Sequence, residues 1–220
     1  YVTLLTAFKC LLARYAGQED IVVGSPFSNR TVGDLEGVMG GCMNTLPLYS
    51  KIGAARTFRE ALDVVQQTVI EAHTRQRVPL KAIVDASQLE RNPGVNPFFQ
   101  VLLVVQDPPM TLQIEGAEVT PLAVHNNTSK FDFSVWMWDA QDQIAGLLEY
   151  NTQLFEPGTM ERMIRNFESL LEALVAHPDG PLRQLPLFAA PENRLLLQDW
   201  NATEVDHPAT GCVTDLVLAR

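Results

Sequence analysis

The stretch FFQVLLVVQ, residues 98–106, is apolar at almost every position. A run of this length, rich in valine and phenylalanine, is typical of a β-strand rather than a helix. Successive side chains on a strand point to opposite faces of the sheet, so an unbroken apolar run predicts a central strand that is covered on both faces. We therefore expect a sheet with this strand in its interior.

Five elements are predicted on the amino-terminal side of this strand. Apolar residues at helical spacing predict a first helix that ends at Tyr15 or Ala16, with Gly17 in the position after its C-terminus. Thr57 and Glu60 form a T-x-x-E capping box at the start of a long amphipathic helix. The other three elements are strands over residues 20–27 and 45–52 and a short helix over about 79–87.

On the carboxy-terminal side, residues 111–151 are interpreted as a meander of three strands, and Pro157 opens another amphipathic helix. Helices and strands that mix without strict βαβ repetition predict an α/β (α+β layered) fold, in which a mixed β-sheet is packed with helices. This lobe is assigned to residues 1–188. Residues 189–220 turn polar and rich in turn signals, which indicates a linker into a further, truncated domain. Helical spacing that starts at Tyr1 suggests a piece of a longer protein.

The composition excludes several classes of function. A net charge of −10 argues against binding to nucleic acid or to an anionic membrane, and no apolar run approaches the roughly 20 residues that span a bilayer. The three cysteines, Cys10, Cys42 and Cys212, are widely spaced without a CxxC pair, so neither a zinc site nor a disulfide framework is predicted. We expect a cytoplasmic protein in which Cys10 and Cys42 are buried as small apolar residues.

No catalytic or metal-binding residue is predicted from the chemistry of the sequence. Walker, G-x-S-x-G, HExxH and GxGxxG motifs are absent. A structural or solvated role is predicted for each of the four histidines, which are far apart in the sequence: His73, His125, His177 and His207.

Polar residues inside apolar runs are the better candidates for a site. In MGGCMNTLPLYS, residues 39–50, Gly40 and Gly41 permit close approach of a backbone or ligand, while Asn44 needs hydrogen-bond partners. Binding and structural roles for Asn44 are left equally open. Lys130 and Asp132 are two residues apart, so on a strand they share a face, and a structural ion pair is preferred over a substrate contact.

Seven segments in this order resemble the condensation domains of nonribosomal peptide synthetases, and an eighth resembles the start of the adenylation domain that follows them. MGGCMNTLPL is similar to the family's I/V-G-x-F-V-N-T-L motif, with Cys42 and Met43 in place of Phe and Val. RQRVPLKAIV, residues 75–84, resembles the H-Q-D-x-P-F-E segment, but Arg75, Arg77 and Lys81 stand where the family usually has His, Asp and Glu. The other six segments are VVGSPFSNR, RNPGVNPFFQV, SKFDF, LEYNTQLFEPGTMERM, PLRQLPLF and the adenylation-like WNATEVDHP.

The resemblance implies a V-shaped pair of lobes, each similar to chloramphenicol acetyltransferase, with the active site in a tunnel between them. It implies that the amine of one carrier-bound substrate attacks the thioester of the other, with both substrates held on 4'-phosphopantetheine arms of peptidyl carrier protein domains and no cofactor bound directly. The family's HHxxxDG motif belongs to the amino-terminal lobe and is absent here. The chain thus resembles the carboxy-terminal lobe, inactive alone, with Gly40, Asn44 and Thr45 as tunnel residues.

Two alternatives stay open within this resemblance. The lobe could be a noncatalytic module that docks carrier proteins or orients the adenylation domain, or it could serve epimerisation or another acyl transfer. An adenylation-like segment directly after the lobe disfavours epimerisation. The basic residues Arg75, Arg77 and Lys81 fit either a change in carrier docking or a solvated helix end.

Overall fold

The computed structural model describes residues 1–87, 95–108, 114–117, 119–120, 122, 124, 126–204 and 212–218. The chain divides into two compact units, Tyr1–Leu187 and Phe188–Arg220. The sequence prediction places this boundary one residue later, after residue 188. Among the histidines and motif segments discussed above, His125, residues 91–94 of RNPGVNPFFQV and residues 205–208 of WNATEVDHP, which include His207, lie outside the described residues.

The described part of the first unit contains four α-helices. They are α1 (Val2–Ala16), α2 (Phe58–Thr74), α3 (Leu80–Ser87) and α4 (Pro157–Ala176). Helix α1 ends as predicted, with Gly17 in the left-handed region at φ 62°. Half of the predicted capping box is present, because Thr57 Oγ1 accepts from the Glu60 amide at 3.2 Å while the Glu60 carboxylate accepts from the amide of Arg56. None of the described helices combines the length and the apolar character needed to cross a bilayer.

In the described part of the chain, five strands form one mixed sheet in the order β2-β1-β3-β4-β5. They are β1 (Asp20–Phe27), β2 (Asn44–Lys51), β3 (Val101–Val105), β4 (Phe133–Asp139) and β5 (Ile144–Tyr150). Strand β3 is central, as predicted, and runs parallel to both of its neighbours, whereas β1–β2 and β4–β5 are antiparallel pairs. The predicted mixed sheet packed with helices is therefore confirmed.

The meander prediction for residues 111–151 is only partly correct. Strands β4 and β5 do form an antiparallel hairpin, but the other neighbour of β4 in the sheet is β3, which runs parallel to it, and not the first predicted strand of the meander. Parallel neighbours require a crossover between them, so the chain does not simply turn back on itself here. Much of the first predicted strand of the meander lies outside the described residues.

The core lies on one side of the sheet, between the strands and helices α1, α2 and α4. Buried strand residues that share this face include Ile21, Val23, Leu48, Leu103, Phe133, Val135 and Met137. Helix residues packed against them include Leu5, Phe8, Leu11, Ala61, Val65, Met160, Met163 and Leu170. The expectation that β3 is covered on both faces is met only in part, because Leu103 on the core face is fully buried whereas Leu102 and Val104, on the opposite face, are half-buried.

On that opposite face, Phe99 folds over Gly24 of β1. A Cβ atom at Gly24 would lie 2.1 Å from Cε2 of the Phe99 ring, so only glycine fits without displacing the ring. Asn96 fixes the approach to β3, since its side-chain Oδ1 accepts from the amides of Phe98 (3.1 Å) and Phe99 (3.3 Å). Asn96 therefore has a structural role at the entry to β3.

The described part of the second unit is helical. It comprises α5 (Ala190–Arg194), a π-helical turn (Leu195–Asp199) and α6 (Val213–Leu218). The identification of residues 189–220 as a linker and the start of an adenylation domain stays a prediction.

Candidate functional site

The loop between β1 and β2 is held in place by Arg30. The chain leaves β1 at Phe27 and starts β2 at Asn44, directly opposite Phe27 in the antiparallel register. Within this loop the Arg30 guanidinium donates to the carbonyl oxygens of Leu35 and Gly40, the second at 3.3 Å. One side chain thus joins both parts of a loop that contains only a single short 3₁₀ turn, Gly33–Leu35.

Asn44 connects this loop to the turn that follows α2. Its side-chain Nδ2 donates to the carbonyl oxygens of Gln76 at 2.8 Å and Val78 at 2.6 Å. These two carbonyls lie beyond the end of α2, where the backbone no longer has helical partners. The side chain of Asn44 therefore has a structural role in this lobe, which was one of its two predicted roles.

Gln76 completes this connection from the other side. Its side chain is buried, its Oε1 accepts from the backbone amide of Asn29 at 3.1 Å, and its Nε2 donates to the carbonyl of His73 at 3.1 Å. Asn29 itself adopts φ 54°, a left-handed conformation that asparagine tolerates. We call Asn29, Asn44 and Gln76 the amide network. It joins the end of β1, the start of β2 and the turn after α2.

The amide network was not predicted from the sequence, although two of its members stand out there. Asn44 lies between apolar residues, and Gln76 matches the H-Q-D-x-P-F-E segment. Their contact joins positions 32 residues apart. A buried side-chain amide must find several partners, so Asn44 beside an apolar run and the motif match of Gln76 were the available signals.

The other predicted site residues differ in their surroundings. Gly40 and Gly41 are exposed, and a Cβ atom at either would meet nothing within 4 Å, so this chain provides no close approach at these glycines. Gly40 is favoured instead by its backbone, at φ 151°. Thr45 is half-buried and lies opposite Pro26 in the β1–β2 register. Asn44 and Thr45 are thus adjacent on β2, while Gly40 lies in the exposed loop.

A groove of about 380 Å³ lies beside the amide network, at the edge strand β2. Its wall is mainly apolar and includes Leu46, Pro47, Tyr49, Val78 and Ile83, together with Thr68, Glu71, Ala72 and Arg75. Since Val78 also accepts a hydrogen bond from Asn44, the network and the groove share a wall.

The three basic residues of the RQRVPLK segment are all exposed. Arg75 lies 4.0 Å from Glu71, and Lys81 forms a 2.5 Å ion pair with Asp85. Exposed pairs of this kind contribute little to stability. The arrangement is that of a solvated helix end, one of the two roles left open above.

The predicted pair of Lys130 and Asp132 lies in the bend before β4 rather than on the strand. Among the described residues, no ion pair within 4.0 Å joins the two side chains. The backbone of Asp132 connects its surroundings instead: its amide donates to the carbonyl of Gln100 and its carbonyl accepts from the amide of Asn151, both at 2.9 Å. The residue thus helps to align β3 with β5 through its main chain.

Groups suited to catalysis or metal binding are sparse in the described part of the chain. No cluster of three His, Cys, Asp or Glu side chains that could hold a metal ion occurs there. Cys10 is buried, and burial raises the pKa of its thiol to about 12, which makes it a poor nucleophile. Cys42, also expected to be buried, is only half-buried. The described polar groups are therefore better suited to holding the backbone and the walls of the groove in place than to catalysis.

We expect Asn44→Ala to lower the free energy of unfolding by about 1–3 kcal/mol, because it leaves two carbonyl oxygens at the end of α2 without their donors. Urea denaturation followed by circular dichroism measures this change. Asn193→Ala, at an exposed position in α5, is the matched control and is expected to change the midpoint very little. Equal urea midpoints for the two variants would show that the amide network does not contribute to the stability of the fold.

A sequence model of the condensation domain family matches residues 1–197, so the chain belongs to the condensation domain family. It is 39% identical over 222 residues to part of a linear gramicidin synthase from Brevibacillus parabrevis, and 32% identical over 209 residues to gramicidin S synthase 2 of Brevibacillus brevis. These alignments cover 100% and 94% of this chain but only 3% and 5% of those relatives. The chain is thus similar to a condensation domain of a nonribosomal peptide synthetase.

Solved structures show the same fold. A holo four-domain nonribosomal peptide synthetase bound to AMP and glycine matches 99% of this chain with a TM-score of 0.85 at 20% identity, over 18% of its own length. The condensation domain of a monacolin K polyketide synthase matches 82% of this chain with a TM-score of 0.71 at 24% identity, over 42% of its own length. The chain therefore spans less than half of a structure that is itself a condensation domain.

Proposed function

We propose that this chain is the carboxy-terminal lobe of a condensation domain and that it completes the tunnel in which a nonribosomal peptide bond forms. The observation that carries the proposal is the partial match. The whole chain aligns with nonribosomal peptide synthetases, yet most of it corresponds to only 42% of a condensation domain structure. The sequence also lacks the HHxxxDG motif that the family resemblance assigns to the other lobe.

In the proposed reaction, the amine of the acceptor substrate attacks the carbonyl carbon of the donor thioester. A C–N bond forms, the C–S bond breaks, and the proton lost by the amine is taken up by the departing thiolate of the donor's phosphopantetheine arm. Positioning alone can supply much of the acceleration of such a step. In this proposal Asn44 and Thr45 belong to the tunnel wall, and the amide network keeps that wall in place through the contacts of Asn44.

A test compares this chain, the upstream lobe, and the two together, with donor and acceptor carrier domains loaded with aminoacyl groups. We expect no dipeptidyl product from either piece alone and product from the combination, measured by mass spectrometry of the acceptor carrier. Product formed by this chain alone would overturn the proposal. A combination that folds and binds both carriers yet forms no product would also contradict it.

A second candidate function is carrier docking without a part in catalysis, and the exposure of the β1–β2 loop favours it. Met39 is 97% exposed and Met43 is 73% exposed, and methionine suits adaptable contact surfaces. We expect a phosphopantetheinylated carrier domain to bind this chain and Met39→Ser/Met43→Ser to weaken that binding, as measured by calorimetry. No measurable binding by the unmodified chain would rule out docking here.

We also propose that residues 189–220 lead into an adenylation domain. The support is the similarity of WNATEVDHP to the start of such domains, together with alignments that run through the full chain in a multidomain synthetase.

A further inference from the structure

A lysine lies in the centre of the apolar core. Lys9, on α1, is completely buried, between Phe8 and Cys10. Its amine Nζ donates to the carbonyl of Leu48 at 2.6 Å, to Ser50 Oγ at 2.8 Å and to the carbonyl of Ile21 at 3.3 Å. A charged ammonium has three protons to donate and here meets three acceptors, although no described carboxylate forms an ion pair with it.

The hydrogen bonds continue from Lys9 to α2. Ser50 Oγ lies 2.9 Å from Thr68 Oγ1, and Thr68 in turn bonds to the carbonyl oxygens of Val64 (3.1 Å) and Tyr49 (3.2 Å). Lys9, Ser50 and Thr68 therefore connect α1, both strands of the β1–β2 pair, and α2. Strand β2 is at the edge of the sheet, so these bonds hold an element that has a neighbouring strand on one side only.

We propose that Lys9, Ser50 and Thr68 form a polar clamp on edge strand β2, and that the strength of this clamp depends on whether Lys9 carries its proton. The clamp acts on the same strand that begins at Asn44. The inference rests on the fold alone and does not require the proposed function.

The electrostatics of the core support this dependence. Burial lowers the pKa of the Lys9 amine to about 7, and burial is the sole cause of that shift. Of the titratable groups on the elements around it, only Cys10 is buried. Apart from Arg14, the others are solvent-exposed: Tyr15 on α1, Asp20 on β1, Tyr49 and Lys51 on β2, and Arg59, Glu60, Asp63, Glu71 and His73 on α2. Arg14, further along α1, is half-buried and donates to the carbonyls of Leu182 and Leu185.

The direction of the pH effect follows from proton counting. The folded chain releases the Lys9 proton near pH 7, whereas the unfolded chain keeps it until about 10.5, the ordinary pKa of lysine. Between these values the unfolded state binds more protons, so raising the pH stabilises the folded state. Cys10 has the opposite effect, because its pKa rises from 9.0 to about 12, and that effect grows as the pH approaches 9. Since Lys9→Met keeps Cys10, the difference between the wild type and this variant from pH 7 to pH 9 reports on Lys9.

The first experiment is a titration of the whole chain by NMR with labelled lysine. The spectrum is simple because the sequence contains only four lysines: Lys9, Lys51, Lys81 and Lys130. We expect one of the four signals, that of Lys9, to titrate near pH 7. In Ser50→Ala the charged amine loses an acceptor, so the same signal is expected to titrate at lower pH. The absence of a lysine signal that titrates near pH 7, or an unchanged midpoint of that signal in Ser50→Ala, would overturn the proposal.

The second experiment measures urea unfolding of the wild-type chain, Lys9→Met and Lys51→Met from pH 7 to pH 9. We expect the unfolding equilibrium constant of the wild type, relative to that of Lys9→Met, to fall by up to about tenfold per pH unit. Lys51→Met removes an exposed lysine from β2, the strand that the clamp holds, and its unfolding equilibrium constant is expected to change with pH as that of the wild type does. If the unfolding equilibrium constant of Lys9→Met changed with pH as steeply as that of the wild type, the proposal would be overturned. If Lys9→Met does not fold, the NMR titration of the wild type decides.

Discussion

Gly24→Val is expected to lower the free energy of unfolding by about 3 kcal/mol or to prevent folding, because the added side chain would overlap with the Phe99 ring on the face of the sheet opposite the core. The first added carbon would lie 2.1 Å from Cε2 and 2.3 Å from Cδ2 of the Phe99 ring. The ring has little room to move, since it is 1% exposed and its centroid lies 5.4 Å from that of Phe131. Valine is a better strand former than glycine, so intrinsic propensity predicts the opposite change.

Urea denaturation of Gly24→Val and of Gly24→Val/Phe99→Ala separates these effects. Removing the ring is itself destabilising, but in the double variant it also removes the clash. The two changes together are therefore expected to cost less than the sum of the single changes. Gly37→Ala, at an exposed glycine where an added Cβ meets nothing within 4 Å, is the control. Strict additivity in the double variant would show that Phe99 does not restrict the space at Gly24.

The elements predicted correctly from the sequence are those with local signals. The end of α1 before Gly17 could be predicted because a turn into the left-handed region depends mainly on the residue at that position, and glycine adopts this region readily. Strand β1 and the start of α2 are likewise marked by a β-branched run and by a capping threonine. The central position of β3 follows from its continuous apolar character, although that character does not show how its two faces are covered.

Features that depend on distant residues could not be obtained in this way. The apolar pattern of β4 does not specify which strand lies beside it, and this is why the meander prediction missed that β3 is its neighbour. The amide network joins three segments that are far apart in the sequence and meet only when β1, β2 and α2 are packed together. Lys9 did carry a usable signal, since it lies in line with Leu5 and Leu12 at helical spacing, where a lysine on a core face requires partners.

Phe8→Ala is expected to lower the free energy of unfolding by about 3–5 kcal/mol, because its ring joins the helical layer to the sheet and little could fill the space that it leaves. Phe8 is 2% exposed and meets Phe133 of β4 and Phe167 of α4 edge to face, at centroid distances of 6.1 Å and 5.9 Å. It also lines a cavity of about 190 Å³ between β4, β5 and α4, so truncation enlarges a space that already exists.

Phe8→Leu, which keeps most of the apolar volume, is expected to be less destabilising, and Phe188→Ala in the second unit should have little effect. Thermal and urea unfolding rank the three variants; if Phe8→Ala were no less stable than Phe8→Leu, the ring contacts of Phe8 would not hold α1 against the sheet.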